Sequence, residues 1–592
     1  MPGDGHDIPV SVWWPGSGGA GASAPAHWVL HAPAFGEEMN KARHVVARQA
    51  RLFAHSGMPV IVPDLYGTGD SGGDFADASW DSWCEDLRRV AAWAYACGAR
   101  RLSLWGLRLG CLLALEAARG IEPAPARLVL WQPVHRGEQQ LAQFLRLLKA
   151  AELTGLDRSR PGVAEARAEL AAGGAVEIAG YRLSAPLSAG IAASRLDRNA
   201  VPRGTPVALF EVAGAAQRPL SRLSSAQLTA WRDGGVDCQG AVVVGDPFWA
   251  TQELGFSTQL LHATVEHFAA SSSTSGRSAD NVTKAQSRSA RPVALAGPEH
   301  CAGTGEGCVF ACRGEALAGR LHRTSMPADT GVVIVVGGPQ YRVGSHRLFR
   351  ALAGELAAAG FPVLRFDYRG MGDSGGELRG FTAIAEDIGS AVDALCAVEP
   401  TVNRVVLWGL CDAATAAAVY APQDSRVAGL VLANPWVYSE RGAARIQLST
   451  YYRRRLLTPA FWRKLASGRL NPLASLRGLG NALGKAVGRR PAQVSAGGRI
   501  APAFTVDEGD LARSIGDALS AFRGDVLLLL SGEDYTAAEF DAAAKKPGPL
   551  RAALRGPRRK ERRFPAADHT FSRQVWRHAV ADASLSWLRD LP

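Results

Sequence analysis

Arg404-Val-Val-Leu-Trp-Gly-Leu-Cys-Asp-Ala-Ala-Thr-Ala-Ala-Ala418 reads as a buried strand running straight into a helix. The run Val405–Trp408 is continuous in hydrophobicity, the pattern of a strand covered on both faces, and the alanine-rich run after it favours helix. Between the two the chain must turn sharply. Gly409 and Ala413, two residues to either side of Cys411, are small enough to let such a turn close. The Cys411 thiol would then stand at a helix N-terminus, where the dipole and the open N–H groups favour the thiolate. A buried structural cysteine fits the same short pattern, so the flanking sequence has to decide.

Downstream, Asp525-Val-Leu-Leu-Leu-Leu-Ser-Gly-Glu-Asp534 is a second apolar strand with a carboxylate at its C-terminal end. Asp534 is the acid expected to orient an imidazole, with Glu533 as its close competitor. Arg562-Arg-Phe-Pro-Ala-Ala-Asp-His-Thr570 then brings His569 into a loop before the last helix, whereas His578 lies on that helix and reads as a surface or packing residue. Nucleophile, acid and histidine in that chain order, each at the end of a strand, are the arrangement of an α/β-hydrolase. The oxyanion donors expected of such a site are the N–H of Asp412 and one from Gly337-Gly-Pro-Gln340; Pro339 has no N–H, which leaves Gln340. Gly-Asp-Ser-Gly-Gly, at 69–73 and again at 372–376, imitates a serine-protease motif, but it follows a buried strand as an ordinary turn, so Ser71 and Ser374 read as structural.

That double occurrence belongs to a long repeat. Ser56-Gly-Met-Pro-Val-Ile-Val-Pro-Asp-Leu-Tyr-Gly-Thr-Gly-Asp-Ser-Gly-Gly73 aligns without a gap on Ala359-Gly-Phe-Pro-Val-Leu-Arg-Phe-Asp-Tyr-Arg-Gly-Met-Gly-Asp-Ser-Gly-Gly376. Leu104-Trp-Gly-Leu107 matches Leu407-Trp-Gly-Leu410 at the same offset, and Leu128-Val-Leu-Trp-Gln-Pro133 matches Leu430-Val-Leu-Ala-Asn-Pro435. In each copy short apolar strands alternate with helical segments; in the second these fall at Val332–Val336, Ser345–Ala358, Val363–Phe366, Ile384–Cys396 and Val405–Trp408. The fold class expected is therefore α/β, with two tandem α/β-hydrolase domains on mostly parallel sheets. Residues 1–270 form the first domain, the polar stretch 271–292 is a linker too poor in apolar residues to order itself, and 293–592 form the second.

The first copy has lost the chemistry. Arg108 stands where Cys411 stands in the second, and a guanidinium cannot attack a carbonyl. The strand Val207–Val212 leads to no carboxylate at the acid position, and Pro247 or Phe248 falls where the histidine should be. Arg108 could bind a carboxylate or phosphate at the old site, or pair with Glu37 or Glu38.

Composition bounds the rest. A chain of 592 residues, 47% hydrophobic and 20% charged, exceeds one core and resembles soluble globular proteins. The N-terminus shows no secretory pattern and the apolar runs are strand-length, so a cytoplasmic location is expected. Nine cysteines are too sparse for a disulfide scaffold; Cys84, Cys97, Cys111, Cys238 and Cys396 read as small hydrophobes, and Cys301, Cys308 and Cys312 match no zinc spacing. No metal and no cofactor are expected. Residues 437–500 hold 11 Arg and 2 Lys against the single acid Glu440, within an expected helical lid at about 437–520, although the whole chain carries only +11. Tyr451-Tyr-Arg-Arg-Arg-Leu-Leu-Thr-Pro-Ala-Phe-Trp-Arg-Lys464 suits an anionic amphiphile or an anionic membrane surface, or else forms a solvated lid. No nucleic-acid motif accompanies the charge.

Two further sets of residues carry a resemblance. Gly337-Gly-Pro-Gln-Tyr-Arg-Val-Gly-Ser-His-Arg347, Phe366-Asp-Tyr-Arg-Gly-Met-Gly-Asp-Ser374, Trp408-Gly-Leu-Cys-Asp412 and Asp568-His-Thr-Phe-Ser572 resemble the first hydrolase family associated with the exosortase A system. Phe35-Gly-Glu-Glu-Met-Asn-Lys41, Trp105-Gly-Leu-Arg-Leu-Gly110 and Pro247-Phe-Trp-Ala-Thr-Gln252 resemble the second, so the chain looks like a fusion of the two. The resemblance implies a Gram-negative bacterium that makes exopolysaccharide and sorts proteins with PEP-CTERM tails, and a hydrolase-like accessory role. The function expected is hydrolysis or acyl transfer on an ester or thioester, small or lipid-linked and anionic, through an acyl-cysteine on Cys411. Contact with the inner membrane through the basic segment goes with it, and oligomeric state is left open. The competing expectation is a non-catalytic scaffold of an envelope-polysaccharide assembly.

Overall fold

The computed structural model describes residues 6–15, 25–153, 161–197, 201–215, 218–251, 254–269, 305–338, 340–437 and 510–592. The stretch 271–292, Pro339, Cys301 and all but Val437 of the basic segment 437–500 lie outside them. Contacts divide the chain into two compact units, 1–403 with 570–585 and 404–569 with 586–592. The first unit thus takes in the whole first copy and the opening strands of the second, a division the sequence repeat does not suggest.

The first copy builds a seven-stranded sheet in the order β1 (Val10–Trp13), β3 (Val60–Pro63), β2 (His27–Ala32), β4 (Arg101–Leu107), β5 (Arg127–Trp131), β8 (Val207–Ala213), β9 (Cys238–Val244). Only β1 runs antiparallel to its neighbour. The continuous hydrophobicity of the strands has a direct cause. Leu30, Leu104, Leu128 and Leu209 pack into the core on one face, while Val29, Trp105, Val129 and Phe210 pack into a second core on the other. Strands β6 (Ala175–Ile178) and β7 (Tyr181–Ser184) form a separate hairpin.

The second copy repeats the plan. In the first unit, β10 (Glu306–Cys312) and β11 (Glu315–His322) form an antiparallel pair; β11 lies antiparallel to β13 (Val363–Phe366), and β13 parallel to β12 (Thr330–Val335). In the second unit, β14 (Arg404–Leu410), β15 (Val427–Ala433), β16 (Asp525–Ser531) and β17 (Arg559–Phe564) are all parallel. The fold is α/β, with mostly parallel strands in both copies. Among the described residues no helix is long and apolar enough to cross a membrane. Cys84, Cys111 and Cys238 are buried as expected, whereas Cys97 is exposed, because it caps the C-terminus of the helix Trp80–Ala96.

The helix expected from Ser345 starts at Leu348. His346 (φ 41°) and Arg347 (φ 66°) are held in the left-handed region, and the Arg347 guanidinium donates to the carbonyls of Gly67 (3.0 Å), Gly69 (3.1 Å), Gly73 (2.8 Å) and Ser71. Three of those four carbonyls belong to the first copy's Gly-Asp-Ser-Gly-Gly turn, and Gly67 lies just before it. Arg51 returns the arrangement, donating to the carbonyls of Asp373 (2.8 Å) and Ser374 in the second copy's turn.

Charge follows the same reciprocity. Arg43 pairs with Asp64 of its own copy (2.9 Å) and Asp373 of the other (2.6 Å); Arg342 pairs with Asp367 of its own copy (2.7 Å) and Asp70 of the other (2.9 Å). Arg365 adds a second bond to Asp70 at 2.9 Å. All these side chains are buried. Ser71 and Ser374 do act as turn residues, bonding the carbonyls of Leu65 (2.6 Å) and Asp367, but the aspartates beside them carry the contact between the copies.

Candidate active site

At the end of β14 the backbone turns at Cys411 with φ 62° and ψ −125°, a conformation that strains an L-residue and is held by close packing around it. A Cβ on Gly409 would come within 2.7 Å of the Ala413 carbonyl, so glycine is what lets strand and helix approach. The Cys411 N–H is spent on the Ala433 carbonyl (2.9 Å), and its own carbonyl accepts from Ala414 (3.1 Å) and Trp436 (3.2 Å), which fixes the thiol at the head of the helix Asp412–Tyr420. Asp412 opens that helix, and its carboxylate accepts from the Ala413 N–H at 2.9 Å.

Asp534 lies just past β16 as the N-cap of the helix Tyr535–Lys545, its carboxylate accepting from the N–H groups of Thr536 (3.1 Å) and Ala537 (3.0 Å). The same carboxylate sits 2.8 Å from Nδ1 of His569. Asp534 is buried, while His569 keeps a third of its side chain exposed. Of the two acids considered, Asp534 is the one on the imidazole; the backbone N–H of Glu533 donates to the Ala567 carbonyl at 3.0 Å. The Cys411 thiol completes the line as a hydrogen-bond partner of the imidazole. The three residues that the sequence singles out are therefore in contact, in the order thiol, imidazole, carboxylate.

Electrostatics departs from the expectation of a resting thiolate. Burial pushes the Cys411 thiol up from its ordinary value, and the bond to His569 only partly offsets this. For His569 burial works downward, but the bonds to Asp534 and Cys411 outweigh it and pull the imidazole up to about 10. The helix terminus alone does not ionise the sulfur. Burial holds the sulfur back from ionising, while the Asp534 carboxylate favours the charged imidazole, so a proton leaving the sulfur has its acceptor in place.

Asn434, fully buried at φ 43°, is a supporting residue the sequence reading missed. Its amide donates to the Ser531 hydroxyl (2.9 Å) and the His569 carbonyl (2.8 Å), and its Oδ1 accepts from the Ser531 N–H (2.8 Å). Ser531 Oγ in turn donates to the Asp568 carbonyl at 2.8 Å. The first copy has the same device in Gln132, at φ 44°, whose Oε1 accepts from the Val212 N–H at 2.7 Å. The signal was an amide before proline in both copies, Gln132-Pro133 and Asn434-Pro435. Gln340 closes its own loop, its Oε1 accepting from the Ser345 N–H at 2.9 Å and its Nε2 donating to Ser345 Oγ at 2.5 Å.

The first copy retains the turn with an arginine at its head. Arg108 has φ 57° and ψ −120°, nearly the angles of Cys411. Of the two partners expected for it, Glu38 is the one it binds, at 3.1 Å and 3.2 Å, with Gln140 accepting at 3.3 Å and the Trp249 ring centroid 5.6 Å from the guanidinium. The guanidinium thus stands at the turn where the second copy has Cys411. Glu37 is engaged elsewhere, with Tyr181 and His346.

The chain is similar in part to known proteins. Residues 328–535 match the family model described as Hydrolase_4, serine aminopeptidase, S33, a span that includes Cys411 and Asp534. Human protein ABHD12B is 34% identical over 110 residues, which cover 17% of this chain and 28% of the length of that relative. Among solved structures, an esterase of Pyrococcus furiosus superposes with a TM-score of 0.33 at 15% identity, covering 48% of this chain and 91% of its own. The ferulic acid-bound Est1E of Butyrivibrio proteoclasticus gives 0.32 at 18% identity, covering 45% and 96%.

Proposed function

We propose that the second copy is a hydrolase or acyltransferase for esters or thioesters, working through an acyl-cysteine on Cys411. The observation that carries this reading is the line from the Cys411 thiol to His569 to Asp534, with Nδ1 and Oδ2 at 2.8 Å, at a turn whose strained angles present the sulfur. Chemistry follows from where the proton sits. Once the sulfur's proton has passed to the imidazole, the thiolate adds to the acyl carbon, and the charge that develops on its oxygen is met by backbone N–H groups, for which that of Asp412 is the candidate. Collapse expels the alcohol or thiol, which takes its proton from His569. The now neutral imidazole removes a proton from water or from another acceptor, which attacks the thioester and regenerates the sulfur. Asp534 holds the ring and balances its charge throughout.

The likeness to exosortase-associated hydrolases supports a substrate of the envelope or exopolysaccharide system. The cationic, aromatic segment 451–464 supports an anionic acyl group, presented free or at an anionic membrane surface.

The pH profile tests the proton's role. His569 must deliver a proton to a poor leaving group, so kcat/KM for an alkyl ester is expected to fall as pH rises through about 10. A p-nitrophenyl ester, whose leaving group departs as an anion, should keep its acylation rate over the same range. Equal falls for both substrates, or turnover that survives in Cys411→Ala, would contradict the mechanism.

A further inference from the structure

The contact between the copies includes a chain of groups that neither the triad nor the core requires. Glu37, at the head of the helix Glu37–His55 in the first copy, accepts through one oxygen from the Tyr181 hydroxyl (2.8 Å), the Asn40 amide (3.2 Å) and the backbone N–H of His346 in the second copy (2.6 Å). Asn40 also donates to the Gly344 carbonyl at 3.2 Å. His346 is buried and left-handed, at φ 41° and ψ 35°, a conformation a non-glycine residue keeps only when its surroundings impose it.

Its imidazole looks the other way. Nε2 lies 3.1 Å from the carbonyl and 3.3 Å from the hydroxyl of Thr570, the residue that follows His569. Burial, and Arg577 after it, bring this ring down to about 3, so it is neutral and its Nε2–H can donate to that carbonyl. From the first copy Gly180 lies against the ring: a Cβ there would come within 2.4 Å of it. Arg577 donates to the His346 carbonyl at 3.3 Å.

We propose that the first copy, whose own triad is gone, is the positioning partner of the second. Glu37 fixes His346, and His346 fixes Thr570, one end of the loop that presents His569 to Cys411 and Asp534. This rests on the triad reading. It gives a reason for the inactive copy to keep its fold and its buried contacts while its reactive residues are replaced. Glu37 and His346 are positioning residues: they act through the loop, and neither touches the reacting atoms.

The test is the pH profile of Cys411 alkylation by iodoacetamide in the full chain, followed by peptide mass mapping so that the other cysteines do not interfere. His346→Asn keeps a residue that tolerates the left-handed region but cannot reach Thr570 as the ring does. Glu37→Ala removes the accepting oxygen and Glu37→Gln restores it. With His569 misplaced, Glu37→Ala and His346→Asn should slow alkylation near neutral pH about tenfold or more and move the profile toward that of an ordinary thiol. Glu37→Gln should stay within about twofold of wild type. A wild-type profile in Glu37→Ala and His346→Asn, both cooperatively folded, while His569→Ala does shift it, would overturn this inference alone. If Glu37→Ala does not fold, His346→Asn decides by itself. If His569→Ala leaves the profile unchanged, the triad reading falls and this inference with it.

Discussion

Replacing His569 by alanine is expected to slow acylation of Cys411 by about 10²- to 10⁴-fold, the range that positioned proton transfer contributes. Two functions are lost at once. The thiol, which burial already pushes up, loses the imidazole that takes its proton, and the leaving group loses its acid. Asp534→Asn should act in the same direction, because Nδ1 would lose the carboxylate 2.8 Å away that makes the imidazolium favourable. Single-turnover kinetics with an activated ester reads both directly. A His569→Ala rate within a few-fold of wild type would mean that the sulfur reacts unaided.

The second large effect is on stability. Asp70 is fully buried and bonded to Arg365 (2.9 Å), Arg342 (2.9 Å) and Arg320 (3.3 Å). Asp70→Ala would leave these guanidiniums, two of them almost wholly buried, without their shared carboxylate, and breaking a buried pair from one side costs about 3–5 kcal/mol. Urea denaturation at neutral pH should show that loss. The sign of the pH dependence follows from the same contacts. Burial raises the Asp70 carboxyl, but the three guanidiniums outweigh it and hold it well below the usual range. A depressed folded-state value means its stabilisation is complete above the unfolded value of about 3.9 and is lost as pH falls from there toward the folded value. Wild type should therefore lose stability steeply in acid, and Asp70→Ala should lose less over the same interval. Equal slopes would show that the bonds around Asp70 do not contribute as drawn.

Much of the second copy was legible because its signals are local. A continuous apolar strand, a small-residue turn and a helix specify Cys411's position within a dozen residues, and strand ends specify Asp534 and His569. Chain order then joins them. That Arg108 occupies the turn equivalent to Cys411 was legible by alignment alone, and its backbone angles are those of that turn. What stayed hidden depends on contacts between residues far apart in sequence. Asp70 and Asp373 looked like turn residues because each does sit in a turn; that both point into a shared charge network is fixed by Arg43 and Arg342, 330 and 272 positions away from the aspartates they meet across the copies. The start of the helix at Leu348 was missed for the same reason. Nothing within the sequence of Ser345–Arg347 forbids helix, and it is the carbonyls of residues 67–73, together with Glu37, that hold His346 and Arg347 in left-handed conformations. The resting state of the sulfur was misread because a helix N-terminus was weighed without the burial that opposes it.

An acyl-cysteine at Cys411 can be trapped and weighed. Wild type, Cys411→Ala and His569→Ala would each be mixed briefly with a p-nitrophenyl ester or an acyl thioester, quenched in acid, and weighed intact before peptide mapping. One acyl group is expected on wild type, located at Cys411, absent from Cys411→Ala and much slower to appear in His569→Ala. An acyl group that appears elsewhere, or that reaches Cys411 no faster than it reaches the exposed thiol of Cys97, would contradict it.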